Sequence, residues 1–199
     1  MVYQCPECYH VVQYAPSGWP SNRAPGANAC MHRWGNYREI TQEVAETATL
    51  FTIGYAERKP PMTPSAFLAT LQAEQIVFLV DIRCNPISHK PGFSKTALSA
   101  FLEAHSIRYW HCPALGTSRE LRRELRESGD YERFFLEFFG YLRSDKNAQA
   151  ALRSVSALVA DRQRVALLCT EADAQRCHRH IVADEVVRLL GGKPGLKHL

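Results

Sequence analysis

The sequence has no uninterrupted apolar run near the roughly 18 residues that a membrane-spanning helix needs. Its start, MVYQCPECYH, has neither the basic flank nor the apolar stretch of a secretory leader. A cytoplasmic protein with no membrane partner is the expectation. A long basic track is also missing: 24 Lys and Arg stand against 20 Asp and Glu, a net charge of +4, and the two signs are interleaved. That balance permits an anionic partner, but charge alone does not argue for nucleic acid. There are no internal repeats and no low-complexity runs. The cysteines number seven, an odd count, so without a leader they read as reduced thiols, metal ligands or reactive groups and not as a disulfide framework.

What is present is enough for one ordinary core, since 46% of the 199 residues are hydrophobic. Residues 1–46 are rich in Pro, Gly, Asn and Tyr, carry Cys5, Cys8 and Cys30, and have no apolar periodicity. They read as a separate loop-rich module. Residues 47–199 alternate short apolar runs with helical patterns. Strands are expected at Leu50 to Ile53, Val77 to Val80, Ile107 to His111 and Val165 to Cys169. Between them lie helical patterns through Phe67, Leu68 and Leu71, with Thr63 and Pro64 at its start, and through Leu98, Phe101 and Leu102, with Ser94 as its cap. The charged segment from Pro113 to Asp130 is irregular at its start, with an exposed helix over Arg119 to Glu127. Two more helices follow. One carries Phe134, Phe135, Phe138, Phe139 and Tyr141, an aromatic face that reads as core; the other runs through Leu152, Val155 and Val159. A final helix through Ile181, Val182, Val186, Val187 and Leu190 ends at Gly191 and Gly192. The order implies an α/β fold, a mainly parallel sheet with helices on both faces.

Each expected strand runs into polar or special residues: Gly54 and Tyr55, Asp81 and Arg83, His111 and Cys112, Cys169 and Glu171. A parallel sheet gathers such residues on one edge, where sites in these folds are found. Alternation along a strand sets Asp81 and Arg83 on one side, facing the edge that holds Cys169. The richest segment, LLCTEADAQRCHRHIVADEV, ends a strand at one thiol and starts a helix near a second thiol, imidazoles and guanidiniums, which favours a thiolate or a bound anion. Read structurally, Cys169 is a small buried residue, and Arg176 and Arg179 pair with Glu171, Asp173 or Asp184.

Three chemistries compete for this segment. A phosphatase-like or rhodanese-like loop cradles its oxyanion with backbone amides and relies on glycine, whereas Thr170 to Arg176 has no glycine and carries Glu171 and Asp173. A catalytic metal would take Cys169, Cys177 and His178, with the two adjacent residues both turned inward. Hydrolysis or group transfer on a nucleotide or nucleic acid would use Asp81 or Glu171 as base or nucleophile, with Arg83 and Arg179 on the anionic part. The opposing class is a non-catalytic module that binds an anion or nucleic acid, with Arg83, Arg176 and Arg179 on phosphates and Tyr55, Tyr109 or Trp110 stacked on bases. An enzyme requires an acid and a thiol facing each other in a pocket; a binder requires an open basic groove with exposed aromatics.

The motifs TIGY at Thr52 to Tyr55, VDIRCNPIS at Val80 to Ser88, GFS at Gly92 to Ser94, Leu115-Gly116, and LLCTEADAQRCHR at Leu167 to Arg179 occur in an order that resembles the bacterial DUF488 family. The resemblance covers roughly Leu50 to Leu190 and leaves the N-terminal segment out. No reaction is established for that family, so the resemblance implies a site: Asp81, Arg83, Ser88, Cys169, Glu171, Cys177, His178 and Arg179. This chain departs from the pattern at Tyr55 and Ala56, where Ser or Thr is frequent, and at Thr117, where a second glycine is frequent. Taken together, Asp81, Cys169, Glu171 and Cys177 are the candidate catalytic residues, and Tyr55, Arg83, Ser88, His178 and Arg179 the candidate substrate contacts.

Outside the resemblance, CPEC and CMH place Cys5, Cys8, Cys30 and His32 as paired soft ligands separated by a loop, with His10 as a competing fourth ligand. A small module without a core can be held this way by one structural zinc. Metal analysis of chelator-free protein is expected to find one equivalent of zinc that is lost in a Cys5→Ser/Cys8→Ser variant, whatever metal other residues hold; equal metal content in the two proteins removes the site.

Overall fold

The computed structural model describes residues 2–4, 11–13, 38–40, 49–56, 61–191 and 194–199. Near the N-terminus, where the sequence pattern indicates only loops, three short strands pair antiparallel in the order β2-β1-β3: β1 (Val2–Gln4), β2 (Val11–Gln13) and β3 (Arg38–Ile40). Cys5, Cys8, Cys30 and His32 lie outside the described residues.

The rest is a three-layer α/β unit around a five-stranded, all-parallel sheet. Its strands are β4 (Thr49–Gly54), β5 (Phe78–Asp81), β6 (Arg108–His111), β7 (Val165–Cys169) and β8 (Gly195–His198), in the spatial order β6-β5-β7-β4-β8. The first four lie within one or two residues of the expected strands. β8 does not follow from the pattern, because GLKH is short and mostly exposed, with no apolar alternation. β7 is the middle strand, and all five of its residues are buried, as a strand covered on both faces must be.

Helices α1 (Pro64–Ala73) and α2 (Lys95–Glu103) follow β4 and β5. They bury Phe67, Leu71, Leu98 and Leu102 against Phe51, Ile53, Leu79 and Leu168 on one face of the sheet. Thr63 caps α1 by accepting from the Ala66 amide at 3.1 Å, as expected. Ser94 occupies the cap position of α2 but makes no capping bond; its hydroxyl donates to the Ser88 carbonyl and accepts from the Ser88 amide, which closes the loop before the helix.

After β6 the chain passes through α3 (Arg119–Ser128), α4 (Tyr131–Ser144) and α5 (Lys146–Ala160) before it returns as β7, and α6 (Arg179–Leu189) follows. Ser118, Asp130 and Asp145 each accept a backbone N–H in the first turn of α3, α4 and α5, and Gly129 ends α3 in the left-handed region at φ 68°. These helices bury Phe138, Leu142, Leu152, Val155, Val182 and Val186 against Leu50, Val80, Val165 and Leu167 on the second face. The aromatic stripe of α4 is core only in part: Phe134 and Phe138 are buried, while Phe139 and Tyr141 are exposed. None of the described helices is long and apolar enough to cross a membrane.

The chain therefore leaves β4 and β5 toward one face and leaves β7, which lies between them, toward the other. A crevice forms at the carboxyl end of a strand where neighbouring connections diverge in this way. That is the end of β7, at Cys169.

Candidate functional site

The cluster starts from residue parity. β7 and β5 run in register with Asp81 opposite Leu168, so Asp81 shares a face with Leu168 while Cys169 points to the other. Cys169 thus faces the layer of α4 and α6. Beyond it, Thr170 turns back to β4 and its carbonyl accepts from the Tyr55 and Ala56 amides at 3.2 and 2.8 Å. Gly54 is required at that contact: a Cβ there would lie 1.7 Å from the Glu171 carbonyl oxygen.

Arg179, the first residue of α6, holds the loop. It is fully buried, and its guanidinium donates to Thr52 Oγ1 at 3.2 Å, to the Ala172 carbonyl at 2.7 Å and to the Glu171 carbonyl. The expectation that Arg179 grips a ligand anion, or pairs with a carboxylate, gives way to bonds within the chain: the side chain is buried, and its Nε, Nη1 and Nη2 each donate to the Thr52 hydroxyl or a loop carbonyl.

With its backbone so fixed, Glu171 stands on the exposed loop and turns Oε2 inward, where it accepts from Cys169 Sγ at 3.0 Å and Cys177 Sγ at 3.1 Å. His178 completes the group, with Nδ1 3.7 Å from Cys169 Sγ and its ring edge-on to Phe138 at 5.2 Å. The turn Ala174 to Cys177, closed by an N–H to carbonyl bond of 3.1 Å, brings the adjacent Cys177 and His178 inward together. Cys169, Cys177 and His178 are 3%, 2% and 6% exposed. Burial pulls the Glu171 carboxyl upward, but the Cys169 thiol, the backbone amide, the Cys177 thiol and the nearby imidazole outweigh it and leave the group below its ordinary range. Burial and the neighbouring Cys169 push the Cys177 thiol well above its usual value.

The cluster forms part of the wall of a cleft of about 500 Å³, which is within the size range of small-ligand sites. Its other walls carry Arg122, Arg126, Arg176, Tyr131, Phe134 and Thr117, and Glu171 is the one acidic residue among its lining. Arg122, Arg126 and Arg176 form no salt bridge with a described carboxylate. The Arg176 guanidinium lies 5.1 Å from the centre of the Tyr131 ring. Thr117 is 1% exposed, and its hydroxyl has no hydrogen-bond partner. Two smaller depressions, of about 310 and 390 Å³, border α3 at Leu121 and Glu124 and have acidic linings.

Four expected site residues are not part of this arrangement. Asp81 is fully buried on the opposite face, paired with Arg83 through Nε at 2.8 Å and Nη2 at 2.5 Å, and Tyr109 donates to its Oδ2 at 2.5 Å. No oxygen of it remains to act as a base. Arg83 borders the cleft, but its guanidinium is committed to Asp81, the Tyr55 hydroxyl and the Phe93 carbonyl. Burial opposes its charge, yet the bond to Asp81 holds its pKa above the ordinary value. Tyr55 is 3% exposed and stacked on Phe93 at 4.3 Å, with no face left for a base. Ser88 serves the loop, accepting from the Lys90 amide at 3.1 Å. Trp110 is partly buried and packs against the core of the second face. The residues that sequence reasoning passed over are Thr117, Arg122, Arg126 and Tyr131. One signal was available: Arg122 and Arg126 are four apart on an otherwise polar helix and so share a face.

Residues 63–186 match the family described as domain of unknown function DUF488. No curated protein and no solved structure matches the chain.

Arg179→Ala is expected to cost about 3 kcal/mol in urea unfolding, because two loop carbonyls and Thr52 lose a charged donor, and Arg179→Lys is not expected to restore it, since one ammonium cannot span the three acceptors. Unchanged stability in Arg179→Ala would return this residue to the list of ligand contacts.

Proposed function

We propose that this chain, which belongs to the DUF488 family, is an enzyme of hydrolase or group-transfer type whose substrate carries a phosphate, as a nucleotide does. The observation that carries the proposal is the meeting of a carboxylate with two thiols in the wall of an arginine-lined cleft. A carboxylate beside buried thiols has little structural value of its own, since its desolvation is offset only by weak S–H donors. The carboxyl is held below its ordinary range and is ionised near neutrality.

In this reading Glu171 takes the proton of the attacking water or hydroxyl group. Arg122, Arg126 and Arg176 neutralise the substrate's phosphate, which a fork of guanidinium donors does well. The Tyr131 ring, with the Arg176 guanidinium over it, lines the cleft beside the arginines, and the unpartnered Thr117 hydroxyl offers a directed hydrogen bond. Asp81 and Arg179 take no part in the chemistry. The competing reading, a module that binds an anion without turning it over, draws on the same arginines and tyrosine but leaves the carboxylate with its thiols unused.

A panel of nucleotides and modified nucleosides is the test. For a substrate so found, Glu171→Gln is expected to lower kcat by about 10²–10⁴-fold, the usual contribution of a general base, whereas Arg126→Ala raises KM with kcat nearly unchanged. Turnover that survives Glu171→Gln contradicts the assignment. Nucleotide binding without turnover, weakened by Arg126→Ala and untouched by Glu171→Gln, supports the binding module in its place.

A further inference from the structure

We infer that Cys169, Cys177 and His178 form a binding site for one zinc-class divalent ion, with Glu171 beside its open position. The inference goes beyond the proposed reaction and does not rest on it, because metal binding is measurable without a substrate.

The geometry is that of a ligand set. One donor atom from each of the three residues lies within 4.8 Å of the others, and all three residues are buried. Donors held by one tetrahedral zinc at about 2.0–2.3 Å stand roughly 3.3–3.8 Å apart. Cys169 Sγ and His178 Nδ1 are 3.7 Å apart, inside that range. Two thiolates and an imidazole are the donors that select zinc over harder ions such as magnesium or calcium. Three protein donors with the remaining side toward a cleft is the arrangement of a catalytic zinc, whereas a structural zinc is closed by four.

The supports of the site are equally specific. Phe138 sets the His178 ring edge-on, at an interplanar angle of 77°. His180 Nδ1 lies 2.6 Å from the Cys177 carbonyl and 3.0 Å from that of Ala174, which steadies the turn carrying two of the donors. Such outer contacts orient ligands and contribute to metal affinity.

The proton balance fits as well. Without metal, both thiols donate to Glu171 Oε2. Binding of M²⁺ as a dithiolate replaces the two S–H bonds with two M–S bonds and releases two protons to solvent. Glu171 would then lose both S–H donors, and its Oε2, 3.0 and 3.1 Å from the two sulfurs without metal, would adjoin the bound ion.

Cobalt(II) reports the site in the full chain. In a Cys5→Ser/Cys8→Ser/Cys30→Ser background, which removes the N-terminal candidate thiols, one equivalent of Co²⁺ is expected to produce a thiolate-to-cobalt charge-transfer band in the near ultraviolet. Adding Cys177→Ser should roughly halve the band and weaken binding at least tenfold. No thiolate band in the folded background protein, or an unchanged band in folded Cys177→Ser, overturns the site. If Cys177→Ser does not fold, alkylation of the background protein decides, at a urea concentration that labels the buried Cys169 and Cys177 in the absence of zinc: zinc should protect both, and equal labelling with zinc overturns the site. Zinc bound with no nucleotide turnover leaves the metal site standing and removes the proposed reaction, while turnover in protein that binds no metal does the reverse.

Discussion

The structure depends on one buried guanidinium. Arg179 is the largest fully buried side chain among the described residues, and it carries its charge into the sheet without a carboxylate bound to it. That is costly unless every donor is used well. Thr52 and the carbonyls of Glu171 and Ala172 supply the acceptors, which are the chain's own backbone and the strand beside it. The guanidinium therefore sets the path of the loop after β7. Gly54 allows the approach from the other side, and the Glu171 side chain turns its Oε2 to the two thiols. His198, which lies 2.7 Å from the Thr52 hydroxyl, registers the same environment: partial burial, then the Arg179 charge, hold its imidazole below the ordinary value.

Across the sheet, Asp81, Arg83, Tyr55 and Tyr109 form a second polar group that is complete in itself. A bidentate pair with two phenol contacts has no unused valence. It fixes the loop after β5, with the Phe93 carbonyl as a further acceptor. The two groups lie at the same edge of one sheet, yet they differ in kind: one is closed around its own charges, the other opens on a cleft with a carboxylate, two thiols and an imidazole in its wall. The distinction between scaffold and site rests on that difference in saturation and not on residue type.

The sequence made local features legible. Strand and helix periodicity, the Thr63 cap and the end of α6 at Gly191 all depend on a few neighbouring residues. So does the Cys169 to Arg179 cluster, since one strand, one loop and one helix start carry every member. What could not be read depends on distant partners. Asp81 was grouped with Cys169 because both end strands, but the register of β5 against β7 decides which face each side chain takes, and a shift of one residue reverses it. Tyr55 went astray for a similar reason: its ring is buried by Phe93, 38 residues on. Arg122, Arg126 and Tyr131 reach the cleft only through the docking of α3 and α4. β8 has no pattern to read, because it is an exposed edge strand that borrows its order from β4.

In the proposed function an anionic ligand enters the cleft at the carboxyl end of β7, on the face of α4 and α6. An amide-resolved NMR titration of the ¹⁵N-labelled chain with adenosine monophosphate tests this without assuming any reaction. Shifts are expected at Thr117, Arg126, Tyr131, Glu171, Arg176 and His178, saturating together, with the amides of Ser88 and Phe93 unmoved. Shifts confined to the loop Ser88 to Ser94 and to Tyr55, on the opposite face, would contradict it.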